Sequence, residues 1–363
     1  MIIEYENLKK SNAPFMAEVQ AAVNRVVASG WYILGEEVSQ FEQAFACYLG
    51  VPTVVGVASG LDALILSLEA LQLPAGSGVL VPANTYIATI LAILRVGLKP
   101  VLVEPGADYN ITVEGLQKNW NPSMSAVLVV HMYGIPCDMP AIKQFCEVKG
   151  LKLVEDCAQA HGAIVGGKQI GTWGDCGAFS YYPTKNLGAM GDAGAIACSD
   201  PDIAARLRCL RNYGSAQKYV NQALGYNSRL DEMQAAILRV KLEHLETMNA
   251  HKKALAELYH SKLDDRFGKP SAWAHAHSVY HIYPIRTQKR AAVRQYLLDH
   301  HIKTEVHYPI PPHKQEALLQ HVQGEYPVTE QIHETVLSLP LSYGHTQDEI
   351  LHVIAVLNKC GVA

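Results

Sequence analysis

Phe179-Ser180-Tyr181-Tyr182-Pro183-Thr184-Lys185-Asn186-Leu187-Gly188 sets a hydroxyl and an amine five residues apart in a turn rich in Gly, Ala and Pro. An amine that is partly desolvated in such a turn loses its proton more readily and can attack a carbonyl to form an imine. A solvated surface charge is the default reading of any lysine, and the surrounding motif argues against it here. Val154-Glu155-Asp156-Cys157-Ala158-Gln159-Ala160-His161 holds the second group. Asp156 closes an apolar run, and a buried carboxylate needs a cationic or hydrogen-bonding partner. A protonated ring nitrogen would serve, with the Gln159 amide one helical turn on; capping the next helix is the plainer alternative. In Ala58-Ser59-Gly60, Ser59 can cap a helix whose free N–H groups suit a phosphate, or simply cap it. Tyr86, in Thr85-Tyr86, offers a flat ring for stacking. Asn227, in Gly225-Tyr226-Asn227-Ser228-Arg229-Leu230-Asp231, offers an amide to an anion, or a helix entry.

A phosphate cradle, a carboxylate for a ring nitrogen, a stacking aromatic and an imine-forming lysine together match the protein's share of pyridoxal phosphate chemistry. Two rival signatures fail. Gly162-x-x-x-x-Gly167-Lys168 has P-loop spacing but continues with Gln169, lacking the hydroxyl that would hold magnesium, and reads as a turn. No G-x-G-x-x-G follows the first strand, so a nicotinamide cofactor has no cradle.

Ligands of α/β sheets gather beyond the carboxyl ends of the strands, so the elements must bring these groups to one edge. Short β-branched runs at 53–57, 79–81, 100–103, 126–130 and 151–154 alternate with helical patterns at 61–73, 87–96 and 139–149. Such runs, buried on both faces and spaced by helices, predict a mostly parallel sheet covered by helices. Further short runs follow at 177–181 and 194–198. A helix is predicted from about 14 to 28, and a long one from about 231 to 263 with Ala235, Leu238, Leu242, Leu245 and Met248 on one stripe. Beyond Pro270 the pattern shortens to a strand near 279–285, a helix at 289–299 and a Pro-rich loop at 308–312. The expected fold class is α/β. A large domain with a mostly parallel central sheet flanked by helices (residues 1–245) precedes a smaller α+β C-terminal domain (246–363).

Composition agrees. At roughly 150 residues per domain, 363 residues predict two to three domains, and 49% hydrophobic against 18% charged residues supplies ample core. Thirty basic and thirty-four acidic side chains nearly balance, which argues against nucleic-acid binding. The most apolar stretch, Ile87–Val96, is about half a bilayer span, and the acidic start of the chain does not resemble a signal peptide. A cytoplasmic protein without membrane contact is expected. Its eight cysteines, none in a C-x-x-C pair, read as buried reduced thiols. His275, His277 and His281 cluster without a cysteine or carboxylate at ligand spacing, so structural or surface histidines are expected and no metal.

Asp156-x-x-Gln159, Phe179-Ser-x-x-Pro-x-Lys185-x-Leu-Gly, the Ser59-Gly60 turn, Val130-His-Met-Tyr-Gly134, Arg211-Asn-Tyr-Gly214 and Gly225-x-Asn-Ser-Arg-Leu-Asp231 run in order through almost the whole chain. They resemble the DegT/DnrJ/EryC1/StrS nucleotide-sugar aminotransferases of the aspartate aminotransferase superfamily (fold type I). The resemblance implies that Lys185 forms the internal imine and shuttles the proton, and that Asp156 pairs with the pyridinium. It sets Gln159 near the cofactor's phenolic oxygen and Tyr86 on its ring, with Ser59, Gly60 and Ser180 at the phosphate. Asn227 would reach that phosphate from the neighbouring subunit of a homodimer. His307-Tyr308-Pro309, with His313, resembles the loop facing the sugar nucleotide, and Tyr182 and Tyr213 are expected at the substrate.

Within the family, Leu187–Ala195 and Leu210–Ser215 with Lys218-Tyr219 look most like enzymes that aminate C3 of a dTDP-linked 3-oxo-6-deoxyhexose. L-Glutamate is the implied donor, pyridoxamine phosphate the implied intermediate, and surface glycan or secondary-metabolite biosynthesis the implied setting. Thr184 and Tyr181 depart from the commoner small residue and Phe and bear on the sugar pocket. A C4 aminotransferase and a PLP-binding regulatory member are the alternatives; Lys185 argues against the PLP-dependent sugar dehydratases, which carry histidine there.

Overall fold

A computed structural model describes residues 2–271 and 276–361. Its centre is a seven-stranded sheet, ordered Thr53–Val57, Gly194–Cys198, Cys176–Ser180, Lys152–Asp156, Met124–Val130, Gly78–Pro82 and Lys99–Val103. All neighbouring pairs run parallel except the two made by Gly194–Cys198. Along each strand successive side chains enter different cores. Val55, Val57, Val79, Val81 and Val154 pack on one face, and Val54, Leu80 and Leu153 on the other. That explains the uninterrupted apolar runs, since a sheet covered on both sides has no polar face. Each such fully buried side chain contributes about 1.5–3 kcal/mol.

The register fixes the working edge. Val130 pairs with Asp156, Asp156 with Ala178, Ser180 with Gly194, and Gly194 with Val57. The strand ends carrying Asp156 and Ser180, and the turn after Val57, therefore lie side by side. Helices Gly60–Ala70 and Ile87–Arg95 start at this edge, and Met139–Lys149 runs back from it, closed by Gly150 at φ 66°, where a left-handed cap favours glycine.

Beyond the sheet, Tyr283–Arg286 pairs antiparallel with Val336–Leu339, flanked by Arg290–Asp299 and Gln347–Asn358 over a third core around Tyr259, Phe267 and Ile354. Among the described residues no helix is long and apolar enough to cross a membrane.

Three expectations are corrected, and one helix lies outside them. The long helix breaks at His244 (φ −104°, ψ 0°) into Glu232–Glu243 and Leu245–Lys262. Leu238 of the first half and Leu245 and Met248 at the start of the second pack on the sheet, and Leu255 and Tyr259 further along pack in the third core, and the His244 ring stacks on Phe15 at 4.7 Å. The strand near 279–285 shortens to Tyr283–Arg286, because the Val279 and Ile282 N–H groups donate instead to Gly134 and Tyr133 carbonyls. Cys47 is exposed and Cys209 half-buried, although the other six cysteines are buried. A helix at Glu36–Leu49 was not predicted. The Gly162–Lys168 stretch is a turn: Gly166 and Gly167, both at positive φ (56° and 75°), link the short strands Ile164–Val165 and Lys168–Gln169.

Candidate active site

Ten of the singled-out residues line one cavity of about 540 Å³: Ser59, Gly60, Tyr86, Asp156, Gln159, Ser180, Tyr182, Lys185, His307 and Tyr308. Strand ends and helix starts supply Ser59, Gly60, Tyr86, Asp156 and Ser180, the turn after Asp156 supplies Gln159, and the Tyr182–Lys185 turn and the His307-Tyr308 segment close it.

Asp156 is 6% exposed and accepts from the Thr89 hydroxyl at 2.9 Å and the Ala158 N–H at 3.1 Å. Burial nonetheless pushes its carboxyl up, with Lys185 acting mildly against that. Among the described residues no cation is within ion-pair distance of it. A buried carboxylate so placed, facing a cavity, is a receptor for a cationic group.

Lys185 faces the same space. Burial pulls its amine down to about 8 from 10.5, opposed by the Asp156 charge, so about a tenth is the free base at pH 7, far more than in a solvated lysine, and can act as a nucleophile. The turn is folded tightly: Lys185 N–H donates to the Tyr182 carbonyl and Ala189 N–H to that of Tyr181. A Cβ at Gly188 would lie 2.4 Å from the Pro183 carbonyl oxygen, so glycine is required at that position.

Ser59 caps the helix Gly60–Ala70, accepting from Asp62 N–H at 3.1 Å. A Cβ at Gly60 would sit 2.4 Å from that of Ser180, so the helix start is packed onto the strand end. That leaves first-turn N–H groups and the Ser180 hydroxyl beside the cavity, a setting that favours an anion.

Gln159 is committed on both sides: its Oε1 accepts from Tyr133 N–H at 2.6 Å and its Nε2 donates to the Tyr308 hydroxyl at 3.1 Å. The Tyr308 ring lies 5.0 Å from that of Tyr86. The Tyr133 hydroxyl donates to the His307 carbonyl at 2.6 Å, and His307 Nδ1 bonds Ser338 at 2.9 Å. Burial and the nearby Lys185 hold His307 down to about 4, neutral at ordinary pH.

Three of the expected residues lie elsewhere. His313 is buried against Tyr326, its Nε2 3.1 Å from Glu330, and is outside the cavity lining. Tyr213 is half-exposed at φ 58°, with the Arg229 guanidinium over its ring, and Asn227 is exposed on the same surface. Of the histidines read as structural, His275 lies outside the described residues, whereas His281 lines the cavity with a buried Nδ1 that finds no partner among the described residues. Thr89 and Asp192 also belong to the lining and were missed. Thr89 had a faint signal, four residues after Thr85 on a helix start; its hydroxyl indeed meets that of Thr85 at 2.7 Å.

The one cluster with metal-ligand chemistry among the described residues is His131, Glu155 and Cys157. The Glu155 carboxylate is already spent on the N–H groups of Gly171, Trp173 and Gly174 at 2.7–2.9 Å and on His131 at 3.3 Å. It ties loop 171–174 to the strand.

Comparison with known proteins places this geometry. The model of the DegT/DnrJ/EryC1/StrS aminotransferase family matches residues 15–358. The chain is 46% identical to a dTDP-3-amino-3,6-dideoxy-alpha-D-galactopyranose transaminase of Aneurinibacillus thermoaerophilus, over 99% of this chain and all of that one. It is 43% identical to a dTDP-3-amino-3,4,6-trideoxy-alpha-D-glucose transaminase of Streptomyces venezuelae, over 98% and 96% of the two. Among solved structures it resembles S. venezuelae DesV in complex with a ketimine intermediate, with TM-score 0.96 and 42% identity over 99% and 98% of the chains.

Proposed function

The chain belongs to the DegT/DnrJ/EryC1/StrS aminotransferase family, and from that premise we propose that it moves an amino group from L-glutamate to C3 of a dTDP-linked 3-oxo-6-deoxyhexose, using pyridoxal phosphate. The observation that carries the reading is the pairing, across one cavity, of a buried carboxylate lacking a cation with a lysine amine lowered to about 8.

The residues fit the cofactor. Asp156 would hold the ring nitrogen protonated, and Ser59, Gly60 and Ser180 would hold the phosphate at the helix start. Tyr86 would cover the ring and Gln159 would lie beside its oxygen. When bound, the cofactor supplies an electron sink that stabilises a carbanion.

The chain's own residues do the rest. The Lys185 Nζ, unprotonated in part, would hold the cofactor, and when free of it would be the base that takes a proton from the donor's α-carbon. In the second half it delivers a proton to the sugar carbon. One site therefore serves both halves, and ping-pong kinetics follow. Tyr182, His307 and Tyr308 face the sugar, and neutral His281 offers an unpaired ring nitrogen to the substrate. Both curated relatives are named for 3-amino sugars, which favours C3 over C4.

We read the chain as a cytoplasmic homodimer with shared sites, in which Asn227 and Tyr213 reach the partner's cavity. Trp31, Tyr32, Met190, Tyr213 and Leu224 are large apolar side chains exposed on one chain, and a partner subunit would cover such side chains. The test is incubation with dTDP-linked 3-oxo and 4-oxo deoxyhexoses plus glutamate. Mass spectrometry and NMR of the product should find the amine on C3 with the 3-oxo substrate. Turnover of the 4-oxo sugar alone would overturn the regiochemistry, and turnover of neither would overturn the assignment.

A further inference from the structure

A second, smaller cavity lies behind Lys185, sharing Thr184 and Lys185 with the first. Its lining brings together three amines, Lys185, Lys241 and Lys252, against a single carboxylate, Glu6. Lys241 and Lys252 are 4% and 5% exposed, and the mechanism above uses neither. Burying an ammonium is costly unless its donors are matched, and each lysine spends a donor on the turn that presents Lys185. Lys252 Nζ donates to Asn186 Oδ1 at 3.0 Å and to the His281 carbonyl at 3.1 Å. Lys241 Nζ donates to the Gly188 carbonyl at 2.6 Å. Asn186 in turn donates to Asn249 at 2.8 Å and to the Val279 carbonyl at 3.1 Å, so the residue next to Lys185 is pinned from three sides.

We propose that Lys252 is a positioning residue for Lys185: it clamps the turn through Asn186 and, as a buried like charge behind the amine, favours release of the Lys185 proton. The proposal rests on the reading of Lys185 as the imine-forming lysine. Other groups face Lys185 from every side. Asp156 acts in the opposite sense; His161, His281 and His307 are held neutral by burial; Asp192 and Tyr308 lie across the front cavity and Lys241 and Glu6 behind. Lys252 differs from these in touching the turn residue next to Lys185 while carrying the same charge. Burial lowers Lys252 itself to about 8, with Glu6 opposing and the charge of Lys185 adding to the fall; the proposal extends that repulsion to Lys185, since like charges repel mutually.

The experiment is competitive acetylation of the cofactor-free protein across neutral to alkaline pH, read at the Lys185 peptide by mass spectrometry, with thermal melting as the check of folding. Lys252→Gln keeps a donor for Asn186 and removes the charge, so the apparent pKa of Lys185 should rise by about one pH unit. Lys252→Arg keeps its charge at every pH and should leave that pKa at or below the wild-type value. An unmoved Lys252→Gln curve, or a rise in both variants, overturns the proposal. Should Lys252→Gln fail to fold, Lys252→Arg alone decides, since a rise there has no place in the account. Borohydride fixation of pyridoxal phosphate to the wild-type chain reads the functional assignment separately, so failure of one is distinguishable from failure of the other.

Discussion

Two side chains divide the proposed chemistry, and each environment suits its part. Asp156 sits where an unpaired carboxylate is destabilised, so a cation is bound there with little competition from water. Asp156→Asn should cost at least about 100-fold in turnover while the melting temperature holds or rises, because the variant removes a buried charge; unchanged kinetics would remove Asp156 from the mechanism. Gly60 is constrained by space. Gly60→Ala drives a methyl toward Ser180 at 2.4 Å and should weaken cofactor binding more than it slows turnover at saturating cofactor, as read by a cofactor titration. The buried histidines set an acid limit. His161 is held down to about 3 from 6.5 by burial and by Lys185. The unfolded chain therefore takes up that proton first, and stability present above pH 6.5 is lost as pH falls toward 3. One such group costs about 3 kcal/mol by about pH 4, so urea midpoints should fall steeply below pH 6; a flat profile would contradict the assigned burial.

At the scale of elements, the sheet positions the site through register, and most of that was legible. Five apolar runs gave five strands because burial on both faces leaves a compositional mark, and Asp156 was placed at a strand end from that mark alone. The misses have physical causes. Helix Glu36–Leu49 buries Val38, Phe41 and Phe45 but carries polar residues between them, and its start is fixed from afar, by Glu232 accepting from Gly35, Glu37 and Val38 N–H groups at 2.7–3.0 Å. The break at His244 has no Pro or Gly to announce it, since tertiary packing of the two halves overrides local propensity. His281 and Thr89 entered the cavity through long-range pairing that spacing does not reveal. Glu155 makes the loop 171–174 an element-scale test. Glu155→Gln leaves N–H groups of Gly171, Trp173 or Gly174 poorly matched and should cost about 3 kcal/mol by urea denaturation; a loss under about 0.5 kcal/mol would show the carboxylate to be incidental.

For the whole molecule, the third core and the sheet are joined by helix Leu245–Lys262, which feeds both and carries Lys252 to the rear of Lys185. The cavity assembled within one chain omits Asn227 and Tyr213, and the dimer reading, which the family resemblance implied, accounts for that omission. It makes a sharp prediction: Lys185→Ala and Asn227→Ala homodimers should each be impaired, yet mixing and re-association should restore about a quarter of wild-type activity, since one site in four pairs an intact Lys185 with an intact Asn227 from its partner. No recovery on mixing would confine Asn227 to its own subunit. The most direct test of the central claim, that Lys185 is the covalent anchor of the cofactor, is borohydride reduction of the protein supplied with pyridoxal phosphate, followed by peptide mapping. The account predicts a single phosphopyridoxyl adduct on the Lys185 peptide, absent from Lys185→Ala; an adduct elsewhere, or none in a folded sample, would contradict it.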